Sequence, residues 1–208
     1  MQRSTNSLGN IFIISAASGT GKTTLVARLL ADNPDLRVSV SHTTRAPRTG
    51  EENGKHYHFV SVAEFEKLVA ENAFLEHANV FGNYYGTSIA AVKTLQEQGV
   101  DVILEIDVQG AEQVRNALPD AVSIFILPPS FEVLAQRLNG RGTDAADVIE
   151  RRLNQAHAEI SEALKFDYAV VNDDLAQAQA DLTAIIRACR LQQAQQKKLI
   201  EKLLQTHI

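Results

Sequence analysis

Apolar residues along this chain alternate between short β-branched runs and longer stretches with helical spacing. Ile11-Phe-Ile-Ile-Ser15 is the first such run and reads as a buried strand. Val100–Asp107 and Ala121–Leu127 are apolar strands, Tyr168–Val171 looks like a last strand, and Leu36–Ser41 alternates like a strand. Helical spacing predicts a helix from about Lys22 to Ala31, closed near Pro34, and another over Ala111–Leu118. Beyond Pro128-Pro129 lie a helix carrying Arg137, then Gly140-Arg-Gly142, then a helix carrying Arg151 and Arg152. Asn172-Asp-Asp174 caps a long helix that runs towards the C-terminus. Strand–helix alternation of this kind predicts an α/β fold with a mostly parallel sheet covered on both faces. Ligands in such a fold sit at the carboxyl ends of the strands.

Residues 41–90 break that rhythm. His42–Lys55 holds Pro47, Gly50 and Gly54 and reads as an irregular loop. His56–Val60 is a short strand, Val62–Glu71 a helix, and Phe74–Val80 a strand ending in the turn Gly82-Asn-Tyr-Tyr-Gly86. Ser88 is placed to cap a helix to about Gln98. This segment has the character of an inserted, substrate-facing subdomain.

With 208 residues, 45% of them hydrophobic, the chain can bury a sizeable core in one domain. Its formal net charge of −5 supplies no global field for nucleic acid or anionic membrane, so neither partner is expected and any anionic ligand needs local arginines and lysines. The single cysteine excludes an internal disulfide framework, and the apolar run Ile11–Ile14 is too short for a signal peptide or membrane span. The cytoplasm is the expected compartment. His56 and His58 would share a strand face, but no third ligand has zinc-site spacing. Cys189 shares an apolar helical stripe with Leu182, Ile185 and Ile186 and reads as core. Leu199, Ile200, Leu203 and Leu204 give the tail an apolar stripe that could pack on its own domain or form a homo-oligomer.

The strongest chemical signal is Ser15-Ala-Ala-Ser-Gly-Thr-Gly-Lys-Thr-Thr24, a glycine-rich turn between a strand and a helix. That is the context of a P-loop, G-x-x-x-x-G-K-[ST], with Ala16 in the first position. Backbone amides of Ala16, Ala17, Ser18, Gly19, Thr20 and Gly21 can wrap phosphates. Lys22 can reach the β- and γ-phosphates, and the Thr23 hydroxyl can ligate Mg²⁺. A partner acid is expected where a buried strand ends. Asp107 meets that description, with Glu105 two residues earlier on the same face. The competing reading is that one of the two, Glu105 more than Asp107, caps the next helix.

Arg45 and Arg48 lie in one turn, and Tyr57 and Tyr85 can add phenolic donors. Such a set suits an acceptor phosphate dianion, because a guanidinium donates two parallel hydrogen bonds. Tyr84 reads as a packing residue. Arg137 and Arg141, four apart, would share one helical side, Arg152 lies on the next helix, and Arg151 beside it reads as solvated.

Several motifs together resemble the guanylate kinase family. They are Ser41-His-Thr-Thr-Arg-Ala-Pro-Arg48, Gly50-Glu, Gly54-Lys-His-Tyr57, Phe74-Leu-Glu76 and Gly82-Asn-Tyr-Tyr-Gly-Thr87. Glu105-Ile-Asp107 with Gln109-Gly110, Gly140-Arg-Gly-Thr143 and Val171-Asn-Asp-Asp174 extend the match. The resemblance covers about residues 11 to 190 and is greatest to the stand-alone bacterial enzymes. It implies a P-loop three-layer fold in a single domain. The core would be 11–40, 91–135 and 158–208, the GMP-binding subdomain 41–90 and the lid 136–157. It implies ATP + GMP = ADP + GDP in purine nucleotide metabolism, with Mg²⁺ and with dGMP as a further candidate acceptor.

By the same resemblance Arg45, Arg48, Tyr57 and Tyr85 hold the GMP phosphate. Glu76 reads guanine, with Ser41 near O6 and Thr87, where the family often has Ser, near the amino group. Asp107 serves guanine, or the metal through water. Arg137, Arg141 and Arg152 contact ATP phosphates, and Asn172 lies near the adenine. Glu105 stands where an aspartate is more usual. Three rival readings remain: a kinase for another monophosphate, a non-catalytic module of the same fold, and a GTPase using Asp107-Val-Gln-Gly110. The last lacks an N-K-x-D sequence.

Overall fold

The computed structural model describes residues 8–80, 82–139 and 146–205, apart from the side chains of 139 and 146–151. In chain order the elements are β1 Ile11–Ala16, α1 Lys22–Asp32, β2 Leu36–Val38, β3 His42–Thr43, β4 His58–Phe59, α2 Val62–Ala70 and β5 Phe74–Val80. Next come β6 Asn83–Ser88, α3 Ile89–Glu97, β7 Asp101–Glu105, α4 Val108–Ala117, β8 Val122–Leu127 and α5 Phe131–Asn139. The chain continues with α6 Ala146–Ser161, a 3-10 turn Glu162–Lys165, β9 Tyr168–Val171, α7 Leu175–Arg190 and α8 Gln193–Gln205. One sheet has the strand order β2-β7-β1-β8-β9, and its pairs β2–β7 and β8–β9 run parallel. A second sheet has the order β4-β3-β6-β5. Contacts divide the chain into two compact units: residues 14–34 with those from 122 onward, and residues 8–13 with 35–121.

In the first unit the strand residues Ile14, Ile124, Phe125 and Ile126 are fully buried, as expected of strands covered on both faces. Leu25, Val26 and Leu29 of α1 and Leu182, Ile186 and Cys189 of α7 are also buried, and α1 packs on α7. Gln179 of α7 donates a hydrogen bond to Asp32 of α1. Asp167 accepts from both the backbone N–H (2.8 Å) and the hydroxyl (2.7 Å) of Ser123, which fixes the approach to β9. The long C-terminal helix breaks at Leu191–Gln192 into α7 and α8. Leu203 and Leu204 on α8 are 64% and 71% exposed, so its apolar stripe stays open in this chain.

The second unit carries β7, with Asp101 through Leu104 buried. The Asp101 carboxylate accepts from the Asn10 backbone (2.7 Å) and side chain (3.1 Å), so burial of this charge is answered by hydrogen bonds. Helix α2 begins with a capping box, Ser61 and Glu64 each accepting from the other's backbone N–H. That helix places Phe65 against Phe74 (4.6 Å between ring centroids) and Tyr84 (5.3 Å). Tyr84 thus packs, as its sequence position suggested. Gly86 lets β6 approach this cluster, since a Cβ there would stand 3.0 Å from the Phe65 ring. Gln113 of α4 covers the edge strand β5 by accepting from the His77 N–H (3.1 Å) and donating to its carbonyl (2.9 Å).

Three expectations shift at element boundaries. Asn83–Gly86 is strand and not turn, because it pairs antiparallel with β5. The reversal is confined to the neighbourhood of Gly82, at φ +80°, whose N–H donates to Asn79 Oδ1. Leu36–Ser41 is strand only to Val38, and His42–Thr43 pairs in the second sheet with β4 and β6. Helix α4 starts at Val108 because Asp107 caps it.

Phe65→Ala removes the ring around which Phe74 and Tyr84 stack. A loss of about 3 kcal/mol of stability is expected from the cavity and lost transfer energy, measured as a lowered midpoint in urea.

Candidate active site

The phosphate-binding loop leaves β1 at Ala16, with Ser15 and Ala17 buried on either side. Ala17 packs in a cluster with Leu134, Leu138 and Ala156. Gly19 and Gly21 adopt φ of +87° and +97°, and a Cβ at Gly19 would stand 2.7 Å from the Leu138 side chain. Both conditions exclude other residues at Gly19. The buried Thr20 ties the loop on itself: its N–H (3.2 Å) and hydroxyl (2.7 Å) both donate to the Ala17 carbonyl. The Ser18 N–H donates to a carboxylate oxygen of Glu159 at 3.3 Å, so a loop amide already holds an anionic oxygen. Lys22 and Thr23 form the first turn of α1, whose N-cap is Gly21, with Lys22 half-buried and Thr23 exposed. The orphan amides of that turn and the helix dipole favour phosphate.

Arg137 of α5 lies beside this loop. Its Nη1 donates to the Thr20 carbonyl (3.2 Å) and its Nη2 to the Asn172 carbonyl (3.0 Å). Asn172, 5% exposed, donates from Nδ2 to the same Thr20 carbonyl at 2.7 Å. Arg152 is half-buried on α6. Arg141 with its Gly140–Thr143 motif, and the Arg151 side chain, lie outside the described residues.

The second unit brings the expected acceptor residues together. Glu76 on β5 stands directly across from Thr87 on β6. The Thr87 hydroxyl donates to Glu76 Oε1 at 2.6 Å, and the Ser41 hydroxyl lies 3.5 Å from that of Thr87. Glu76 and Thr87 are 3% and 1% exposed. Burial pushes the Glu76 carboxyl up to about 7; the Thr87 hydrogen bond opposes the shift and the Asp107 charge adds to it. Gly110, in the first turn of α4, leaves room for this side chain, since a Cβ there would be 2.6 Å from Glu76 Oε2. Asp107 caps α4, accepting from the Gly110 N–H at 2.9 Å and from Gln109 Nε2 at 3.3 Å. The capping reading therefore holds for Asp107, and its charge also reaches Glu76.

Arg45 is already organised. Its Nη2 donates to both carboxylate oxygens of Glu51 (2.8 and 3.0 Å), its Nη1 donates to the Ala46 carbonyl (2.8 Å), and its guanidinium lies 5.5 Å from the Tyr57 ring centre. Glu51 also accepts from the Arg48 N–H at 2.7 Å, and the Arg48 side chain is exposed. The Glu51 hydrogen bond raises the guanidinium pKa of Arg45 above its ordinary value, and Arg45 with the Arg48 N–H lowers that of Glu51. Tyr57 packs edge-on to Tyr85 at 5.9 Å. Burial raises the Tyr57 phenol, with the Glu105 charge next, so Glu105 belongs to the electrostatic surroundings of this tyrosine. His58 lies tilted against His42 at 4.7 Å between ring centroids, and the His56 ring accepts from the Glu52 N–H.

Residues 9–189 match the family model described as guanylate kinase. The chain belongs to the guanylate kinase family. It is 68% identical over 197 residues to the guanylate kinase of Neisseria meningitidis serogroup A, covering 95% of this chain and 96% of that one. Identity to the guanylate kinase of Shewanella oneidensis is 57% over 189 residues, or 90% and 91% of the two chains. The crystal structure of guanylate kinase from Anaplasma phagocytophilum matches with a TM-score of 0.78 at 34% identity, covering 98% of this chain and 99% of that one. The family thus confirms the α/β reading and the resemblance drawn from the motifs.

Two residues of this guanylate kinase site escaped the sequence reading. Glu51 stood in the Gly50-Glu motif, but nothing in its spacing told that it would grip Arg45. Gly110 closed a possible GTPase motif, whereas its use is to make room for Glu76.

The raised Glu76 pKa fixes the sign of a pH effect. The folded chain keeps, up to about pH 7, a proton that the unfolded chain releases near 4.5. Folding stability is therefore expected to fall between those pH values, by about 3 kcal/mol in all, and to level off above. Glu76→Gln removes this dependence, so its urea midpoint rises relative to the parent as pH goes from 5 to 8.

Proposed function

We propose that this chain moves the γ-phosphoryl group of ATP onto GMP, giving ADP and GDP, with the loop Ala16–Thr23 holding the donor and the Glu76 pocket reading the acceptor. Family membership supports the reaction, and the buried Glu76–Thr87–Ser41 arrangement carries the choice of base. Guanine presents two parallel donors, N1–H and the 2-amino group, which one carboxylate accepts together. Adenine would turn an acceptor towards the same carboxylate, so the pocket works by rejection as well as attraction. The Ser41 hydroxyl serves O6, and the Thr87 hydroxyl, beside Glu76, serves the amino group.

Arg45, Arg48, Tyr57 and Tyr85 hold the acceptor phosphate. Glu51 fixes the plane of Arg45, so its remaining N–H groups meet the dianion with little rearrangement. On the donor side, loop amides and Lys22 cradle the phosphates, and Arg137, Arg141 and Arg152 offset the charge of the transferring group. Asn172 belongs to the same donor half. A GMP phosphate oxygen forms the new bond to the γ-phosphorus as the bond to the β–γ bridging oxygen breaks. No protein nucleophile is needed. Excluding water during transfer keeps ATP from being hydrolysed.

Mg²⁺ fits the donor set. It is held through one or two protein oxygens together with substrate phosphates, and the Thr23 hydroxyl, exposed at the start of α1, is an oxygen of that kind. When bound, the ion supplies charge neutralisation between the β- and γ-phosphates.

Steady-state turnover with ATP and Mg²⁺ against GMP, AMP, UMP and dTMP tests the reading. GMP is expected to dominate, and AMP turnover of equal efficiency would sink the guanine assignment. Glu76→Gln should lower kcat/KM for GMP by about a hundredfold, since an amide cannot accept both guanine donors. Lys22→Ala should lower kcat by at least about a hundredfold without a matching rise in the KM for GMP.

A further inference from the structure

The Thr20 carbonyl ties the phosphate-binding loop to two side chains. It accepts from Asn172 Nδ2 at 2.7 Å and from Arg137 Nη1 at 3.2 Å, and Arg137 Nη2 donates in turn to the Asn172 carbonyl at 3.0 Å. Thr20, Asn172 and Arg137 thus form a closed ring of hydrogen bonds. Its fixed point is Asn172, whose N–H donates to the Leu127 carbonyl at 2.8 Å and so extends the β8–β9 ladder by one residue. The loop lies directly on the amide, because a Cβ at Gly21 would stand 2.6 Å from Asn172 Nδ2.

A trans peptide is planar, with its C=O and N–H pointing in opposite directions. Drawing the Thr20 carbonyl towards Asn172 and Arg137 therefore points the Gly21 N–H away from them. Gly21 is the N-cap of α1, and its φ of +97° sets where that helix begins. Holding one carbonyl thus orients both a loop amide and the start of the helix whose amides favour phosphate.

We propose that Asn172 is a positioning residue of the triphosphate loop, acting through the Thr20 carbonyl to aim the Gly21 N–H at phosphate and not through a contact with the donor's base. The inference rests on reading Ala16–Thr23 as the triphosphate site. It gives a buried asparagine at the end of β9 a task that is blind to which nucleoside carries the phosphates.

Inorganic tripolyphosphate, which has no base, separates the two roles when used as a competitor of ATP. In Asn172→Ala the KM for ATP and the inhibition constant of tripolyphosphate are expected to rise together, by about tenfold. The KM for GMP should stay within about twofold of the parent. A raised KM for ATP with unchanged tripolyphosphate inhibition would mean that Asn172 reads the base, and the proposal falls. It falls equally if neither constant moves, or if the KM for GMP rises as much as that for ATP, which marks a general structural loss. Lys22→Ala is run alongside. Should it leave tripolyphosphate inhibition intact, the loop itself is not the triphosphate site, and that failure is distinct from the others. Circular dichroism checks each fold, and Asn172→Ser, which keeps a hydroxyl in place of the amide, carries the same measurements if the alanine variant does not fold.

Discussion

Strands buried on both faces have no side to offer a ligand, so a sheet of this kind can do chemistry only where its strands stop. Ile11–Ile14, Val102–Leu104 and Ile124–Ile126 are all buried. The polar residues that matter appear immediately after strands. β1 stops at Ala16 and the phosphate loop begins; β7 stops at Glu105 and Asp107 follows; β9 stops at Val171 and Asn172 follows. Each strand end also fixes the position of the groups beyond it, because the last residues are held by the ladder and the core.

The acceptor pocket answers a different physical problem, which is keeping a carboxylate where water does not reach. Glu76 lies opposite Thr87 across an antiparallel pair, and the threonine hydroxyl partly offsets the desolvation. The carboxyl nevertheless stays far from its ordinary pKa. A buried acid of this sort destabilises the fold at neutral pH, a cost that marks a candidate binding group. Strain and under-satisfied polar groups gather where a protein binds something.

Periodicity places the main strands and the helices between them, and a short motif places the phosphate loop, since those signals are local. Tyr168–Val171 was delimited to the residue, and β1 within one. The sequence reading failed where pairing across the chain decides. Gly82–Gly86 looks like a turn because of its glycines and asparagine, yet Tyr84 and Tyr85 are held in a strand by β5. The start of α4 was placed three residues late because whether Asp107 caps a helix or faces a ligand depends on where its oxygens point. Site residues came from motif order, and the motifs named most of those that the fold now groups around Glu76 and Arg45. What order could not reveal was who holds whom. The grip of Glu51 on Arg45, and of Asn172 and Arg137 on Thr20, are contacts between residues whose types fit many roles.

The Glu51 contact has a thermodynamic consequence. One carboxylate joins the Arg45 side chain to the Arg48 backbone, so the chain between them is a closed ring with few internal freedoms. An arginine has many rotamers, and fixing one on binding usually opposes association. Here that ordering is complete when the protein folds. Binding of a phosphate at this turn should therefore carry a small entropic penalty for its size, with the charge-assisted hydrogen bonds appearing almost undiminished in the enthalpy.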